Sequence, residues 1–162
     1  NNGEAMQQRF WLVKSEPDVF SINDLDKSPK KTTYWDGVRN YLARNYMRDE
    51  LKMGDLVLFY HSNAEATGVA GVCEVVKEGY PDFTAFDKKD KHYDPQSKED
   101  APAWYMVDIK LVKIFPKLVT LSEIKKNKKL WNMKLVQPGN RLSVMPVEKE
   151  EFDEILAMSL KQ

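Results

Sequence analysis

The sequence predicts an α+β fold: a curved, strongly bent mixed or antiparallel β-barrel with helices packed outside it. Three observations carry this. The apolar period switches along the chain between two residues, which suits strands, and 3.6 residues, which suits helices. The segments run strand, helices, several strands with long returns, then helix, with no alternating βαβ series and no internal repeat. The 162 residues, 42% of them hydrophobic, suffice for one domain with a real core.

The elements follow in order. The opening NNGEAMQQ is polar and unpatterned. Residues 1–8 read as a disordered tail, with an expression remnant as one source for part of it, and residues 9–160 as the single domain. RFWLVKSEP begins apolar and stops at Pro17, which predicts a buried strand from about Phe10 to Lys14. Ser21 stands three residues before Asp24, a capping box that opens a short helix. SPKKTT is a loop. Val38, Tyr41, Leu42 and Tyr46 then fall at i, i+3, i+4 and i+8, a helical stripe for which Asp36 is the expected N-cap. KMGD is a turn. LVLFYHS and GVAGVCEVVKEGY read as strands, the second with glycines where backbones approach closely. Residues 81–103 are polar, and a loop of that length is usually functional or disordered. WYMVDIKLVKI alternates as a long half-buried strand. Thr120 and Glu123 form a second capping box. NRLSVMPV is a strand. EKEEFDEILAMSL is an amphipathic helix with Phe152, Ile155, Leu156 and Leu160 on one face.

Composition limits the function. The chain carries 25 basic and 25 acidic residues. A protein that coats nucleic acid nonspecifically needs a basic excess, because phosphate neutralisation supplies the affinity. A nucleic-acid role here therefore rests on local patches and on reading a base. The single cysteine, Cys73, sits in an apolar run and rules out a disulfide framework. The two histidines are too few for a His-rich metal site, so no metal and no cofactor is expected. No apolar stretch approaches ~20 residues, and no signal-peptide pattern opens the chain. The expected protein is an intracellular monomer, cytoplasmic or, in a eukaryote, nuclear, with no membrane partner.

Several motifs could carry chemistry. His61 and Ser62 suggest a nucleophilic pair, but neighbours on a strand point to opposite faces. No G-x-S-x-G elbow, phosphate loop or EF-hand loop is present. Lys14, Ser15 and Glu16 end a buried strand, where they either project into a cleft or form a solvated cap. The basic run from Lys125 to Lys129 reads as a solvated helix face or a phosphate-tracking patch. Trp35 and Trp104 each precede a regular element beside polar residues. A ring with one free face can stack on a base, worth ~1–3 kcal/mol; core filling is the other reading.

Taken together, FWLVKSEP, WDGVRNYLARN, LFYHSN, GVAGVCEVVKE, HYDPQSKEDAPAWYMVDI and NRLSVMPV resemble the EVE domain family, over nearly the whole chain from Phe10 to Leu160. The resemblance implies a PUA-like fold, kinship with YTH domains, and non-catalytic binding of a modified base in DNA or RNA. It implies a pocket built from Lys14, Ser15 and Glu16, from Trp35, Val38 and Asn40, and from Tyr60, His61 and Ser62. Asp94 and Trp104 are further candidates from the long loop. Arg39 and Arg44, with Lys14, would hold flanking phosphates. A small hydrolase acting on a modified nucleoside is the alternative, since related PUA-like enzymes use a Lys, a hydroxyl and a Glu.

Overall fold

Six strands form one sheet in the order β2-β5-β4-β3-β1-β6 in the computed structural model, which describes residues 7–161. Most of the expected tail, residues 1–6, lies outside the described residues. The strands are β1 (Phe10–Ser15), β2 (Thr32–Tyr34), β3 (Leu56–His61), β4 (Gly68–Pro81), β5 (Tyr105–Thr120) and β6 (Val144–Val147). The helices are α1 (Ile22–Lys27), α2 (Tyr41–Asn45), α3 (Leu121–Lys126) and α4 (Lys149–Ser159). The α+β class is as expected. The order has two ends, β2 and β6, of three and four residues, so the sheet is open rather than closed into a barrel.

β1 and β3 pair in parallel, which sets Lys14 opposite Tyr60 and Ser15 opposite His61. The other ladders are antiparallel. The long β4–β5 ribbon shifts register at four places between Val69 and Tyr80. Each such irregularity adds local twist and bends the strand. Gly71 lies on this ribbon because a Cβ there would sit 2.2 Å from the Lys113 carbonyl oxygen.

The central strands are buried on both faces, which is why β1 and β3 read as unbroken apolar runs. Trp11, Val13, Val57 and Phe59 join one cluster; Phe10, Leu12, Leu58 and Tyr60 join the other. α1 covers the first with Ile22 and Leu25. α4 covers the second with Phe152 and Ile155, and Phe10 meets Phe152 at 4.7 Å between ring centres. Trp11 is fully buried, and its indole N–H donates to Asp55 at 3.0 Å. Cys73 is buried in the first cluster, and burial pushes its thiol far up.

Both capping boxes form: Ser21 with Asp24, and Thr120 with Glu123. Two helix assignments change. The segment expected to begin α2 at Asp36 is not helical until Asn40, and Asn40 is the N-cap, accepting from Ala43 N at 3.0 Å. The helix therefore starts later and faces differently. Ala43 and Met47 are buried, while Tyr41 and Leu42 are 63% and 50% exposed. Val38 is buried too, but from irregular backbone outside the helix. In α4, Phe152 and Ile155 pack as expected, but Leu160 is the C-cap and is 67% exposed. A single helical face does not extend past the last turn.

The loop from residue 81 to residue 103 is ordered by its aspartates. Asp82, Asp87, Asp90 and Asp94 each accept the backbone N–H two residues on, at Thr84, Lys89, His92 and Gln96. Such Asx turns replace the hydrogen bonds that a loop lacks.

Candidate functional site

Three segments converge on one cleft of about 760 Å³. The end of β1 supplies Lys14, Ser15 and Glu16, and the irregular stretch after β2 supplies Trp35, Asp36, Gly37 and Val38. The Asx-turn loop supplies Lys89, Asp90, Lys91 and His92. The volume suits a base with its sugar, since small-ligand sites run ~300–1,000 Å³. A smaller hollow of about 350 Å³ at Arg9, Glu50 and Lys52–Asp55 is lined by mostly charged and polar residues, largely through their apolar stems.

The stretch from Trp35 to Val38 is held in place from both sides. Trp35 N donates to Val107 O at 2.8 Å, which continues the β2–β5 ladder. Gly37 N donates to Asp82 at 2.8 Å. Gly37 has φ +79°, and a Cβ there would fall 2.5 Å from the His92 ring, so the turn admits only glycine without strain. Asp82 has no exposed surface. It also accepts from Thr84 N and Thr84 Oγ1 and pairs with Arg39 at 2.9 Å. Burial alone would raise the Asp82 pKa; the hydrogen bonds from Thr84, Gly37 and Arg39 hold it below the usual carboxylate range.

Trp35 is 9% exposed. Phe20 and Phe59 fix it by edge contacts at 6.3 and 5.4 Å between ring centres. The ring thus belongs to the core and also lines the cleft. Among the described residues, the indole N–H groups of Trp11 and Trp104 are paired with Asp55 and Asp94, and that of Trp35 has no protein partner. Lys14 is half-buried, and desolvation lowers its pKa. Ser15 Oγ donates to Phe20 O at 2.5 Å, which holds the loop after β1 and occupies the hydroxyl.

Acids gather beneath the opening. His92 Nδ1 lies 3.5 Å from Asp36 and 3.3 Å from Asp90. It is buried and makes no hydrogen bond. Burial first, then the charge of Asp82, raises the Asp36 pKa; His92 opposes this. Donor atoms of Asp36, Asp90 and His92 all lie within 4.8 Å of one another, the one such trio among the described residues.

The remaining residues singled out in the sequence stand elsewhere. Asn40 is the α2 cap. Tyr60 belongs to the opposite core cluster, where burial raises its pKa. His61 Nε2 accepts from Ile22 N at 3.1 Å, and burial lowers its pKa. That bond leaves the neutral ring as an anchor for α1. Ser62 N continues the β1–β3 ladder by donating to Ser15 O. Asp94 accepts from the Trp104 indole at 2.6 Å, and Trp104 stacks on Tyr41 at 4.8 Å. Arg39 is spent on Asp82 and on His92 O. Arg44 donates to Ala103 O at 2.6 Å. The cations that line the cleft are instead Lys14, Lys89 and Lys91.

Asp36, Lys89, Asp90, Lys91 and His92 were not among the sequence candidates for the site. The repeated D-x-x spacing of the loop was a usable sign that it is ordered. Nothing local places His92 against Gly37, because Asp82 and Arg39 make that contact across the chain.

Known proteins share this arrangement of sheet and loops. Thymocyte nuclear protein 1 from Homo sapiens is 45% identical over 169 residues, covering 94% of this chain and 74% of its own length. The crystal structure of human THYN1 in complex with 5-methylcytosine-containing DNA has a TM-score of 0.90 at 45% identity. That match covers 96% of this chain and 99% of the other. A Leishmania major protein has a TM-score of 0.89 at 48% identity, covering 94% and 95%. The ASCH protein of Zymomonas mobilis shares the fold alone, with a TM-score of 0.53 and 11% identity. The EVE domain model matches residues 9–158, the same span as the sheet and its helices, and this chain belongs to the EVE domain family.

Proposed function

We propose that this protein binds DNA carrying a modified cytosine, 5-methylcytosine first, and holds the base in the Trp35 cleft without transforming it. The observation that carries the reading is Trp35: a core-anchored ring lining a cleft of about 760 Å³, in a chain 45% identical to a protein solved with 5-methylcytosine-containing DNA.

A base cannot be inspected inside a duplex, so it must be flipped out at a cost of a few kcal/mol. Stacking and phosphate contacts offset that cost. Trp35 supplies an aromatic wall and Val38 an apolar corner for a methyl group. Lys14, Ser15 and Glu16 edge the mouth, and Lys89 and Lys91 face the backbone phosphates. Asn40, Tyr60, His61, Ser62, Asp94 and Trp104 act by supporting the loops, and Arg39 and Arg44 by bracing them. Unmodified cytosine leaves the apolar corner empty, so the preference for the methylated base is modest, on the order of 1–3 kcal/mol.

Fluorescence polarisation with duplexes that differ only in one cytosine methyl tests this. Wild-type protein should prefer the methylated duplex, and Trp35→Ala should bind both weakly. Equal binding of both duplexes by both proteins would remove the proposal.

A further inference from the structure

A methyl corner and a stacking wall leave one problem unsolved. Thymine carries the same ring and the same 5-methyl group as 5-methylcytosine. The two bases differ at their hydrogen-bonding edge. Cytosine offers an amino donor at N4 and an acceptor at N3; thymine offers an acceptor at O4 and a donor at N3. Shape and stacking cannot separate them. A reader of methylated cytosine needs a polar group at that edge, or every thymine competes.

Three carboxylates line the cleft: Glu16, Asp36 and Asp90. Glu16 is exposed, so water competes for its bonds. Asp90 already accepts the His92 N–H at 2.8 Å as part of an Asx turn. Asp36 directly follows Trp35, is half-buried, and among the described residues has one group at ion-pair distance, His92 Nδ1 at 3.5 Å. Its own backbone N–H is the one donor beside it, so it is the sheltered acid with an oxygen left for a ligand.

We propose that Asp36 reads the amino edge of the bound base, so that the cleft accepts 5-methylcytosine and rejects thymine. This rests on the modified-cytosine reading above. One oxygen of the ionised Asp36 accepts from the N4 amine. Thymine would set its O4 against that same oxygen, acceptor against acceptor. A protonated carboxyl loses the distinction, because its O–H can donate to O4. Burial and the charge of Asp82 both push Asp36 upward, so the preference should fade as acid protonates it. The groups facing it are Asp82 with its partner Arg39, Asp90 and His92, and Lys14 and Glu16 line the same cleft.

The test sets 5-methylcytosine, cytosine or thymine opposite an abasic position, so that pairing costs are equal. Affinities are measured by fluorescence polarisation for wild type, Asp36→Asn and Asp36→Leu, with melting temperatures as the folding control. Wild type at neutral pH should prefer 5-methylcytosine over thymine by roughly 10- to 100-fold, the range of one hydrogen bond to a charged group. Acidification should narrow that ratio, and taking the ratio subtracts the titration of groups common to both. Asp36→Asn should lose both the preference and its pH dependence, since its amide can turn to accept from N4 or to donate to O4. Asp36→Leu should bring the two bases within about threefold of each other. A wild type that binds both bases equally, or an Asp36→Leu that keeps the preference, overturns the role of Asp36 while leaving methyl reading intact. A wild type indifferent to the cytosine methyl overturns both.

Discussion

Replacing Asp82 with Asn removes the charge that ties the Trp35–Arg39 stretch to the long loop. The carboxylate has no exposed surface and accepts four bonds: Gly37 N at 2.8 Å, Arg39 at 2.9 Å, Thr84 N at 2.8 Å and Thr84 Oγ1 at 2.5 Å. An Asn amide must turn its NH₂ toward donors on one side. A buried donor left unpaired costs ~1–3 kcal/mol. Breaking a fully buried ion pair costs ~3–5 kcal/mol. Arg39 is 23% exposed, so water takes back part of its charge and the upper end is not reached. The two effects overlap, and a loss of about 3 kcal/mol is expected. Urea unfolding followed by tryptophan fluorescence should show a lower midpoint with an unchanged slope. The pH dependence supplies a second check. The folded pKa of Asp82 is depressed, so its contribution is present above the ordinary carboxylate value, ~3.9. It is lost as pH falls through the folded value. The stability gap between wild type and Asp82→Asn should therefore close in acid. A loss under ~1 kcal/mol at neutral pH, the net worth of one ordinary hydrogen bond, would refute the claim that Asp82 organises the site.

Three further outcomes are expected. Gly37→Ala forces a left-handed φ on alanine, a cost of ~1–2 kcal/mol, and pushes a Cβ into the His92 ring; an unchanged melting temperature would contradict this. Asn40→Ala should cost ~1 kcal/mol of stability as the loss of a cap, while leaving the preference for methylated DNA in place; loss of that preference with full stability would put Asn40 in the pocket. Lys89→Ala and Lys91→Ala should weaken binding to methylated and unmethylated DNA equally. Each should reduce the slope of log affinity against log salt by ~1, and an unchanged slope would remove the phosphate contact.

Local signals in the sequence found what local interactions fix. The Ser21–Asp24 and Thr120–Glu123 boxes span three residues each, and both form. The apolar runs of β1, β3 and β4 were legible because both faces of the sheet are covered. Asp36 misled because an Asp ahead of an apolar stripe looks like a cap. Asn40, three residues before Ala43, carries the same signal, and Gly37 decides between them, since its φ of +79° breaks any helix begun at Asp36. Lys14, Ser15, Glu16 and Trp35 were legible as cleft candidates because polar or aromatic residues ended a strand or preceded a helix; Val38 entered the set only through the family resemblance. His92 and Lys91 were not, because an ion pair between residues 39 and 82 brings their loop across. His61 and Tyr60 share a strand end with β1 but serve the core and α1.

The central claim is that the base enters the cleft beside Trp35, and the four tryptophans report on it directly. Each indole N–H gives one resonance in a ¹⁵N–¹H correlation spectrum, assignable by Trp→Phe substitution. Titration with a duplex bearing one 5-methylcytosine should shift the Trp35 indole most, since it lines the cleft without a partner among the described residues. The Trp11 indole, buried on Asp55, should hold still. A Trp35 resonance that stays fixed while the exposed Trp131, beside the Lys125–Lys129 run, moves would place the DNA on another face and contradict the account.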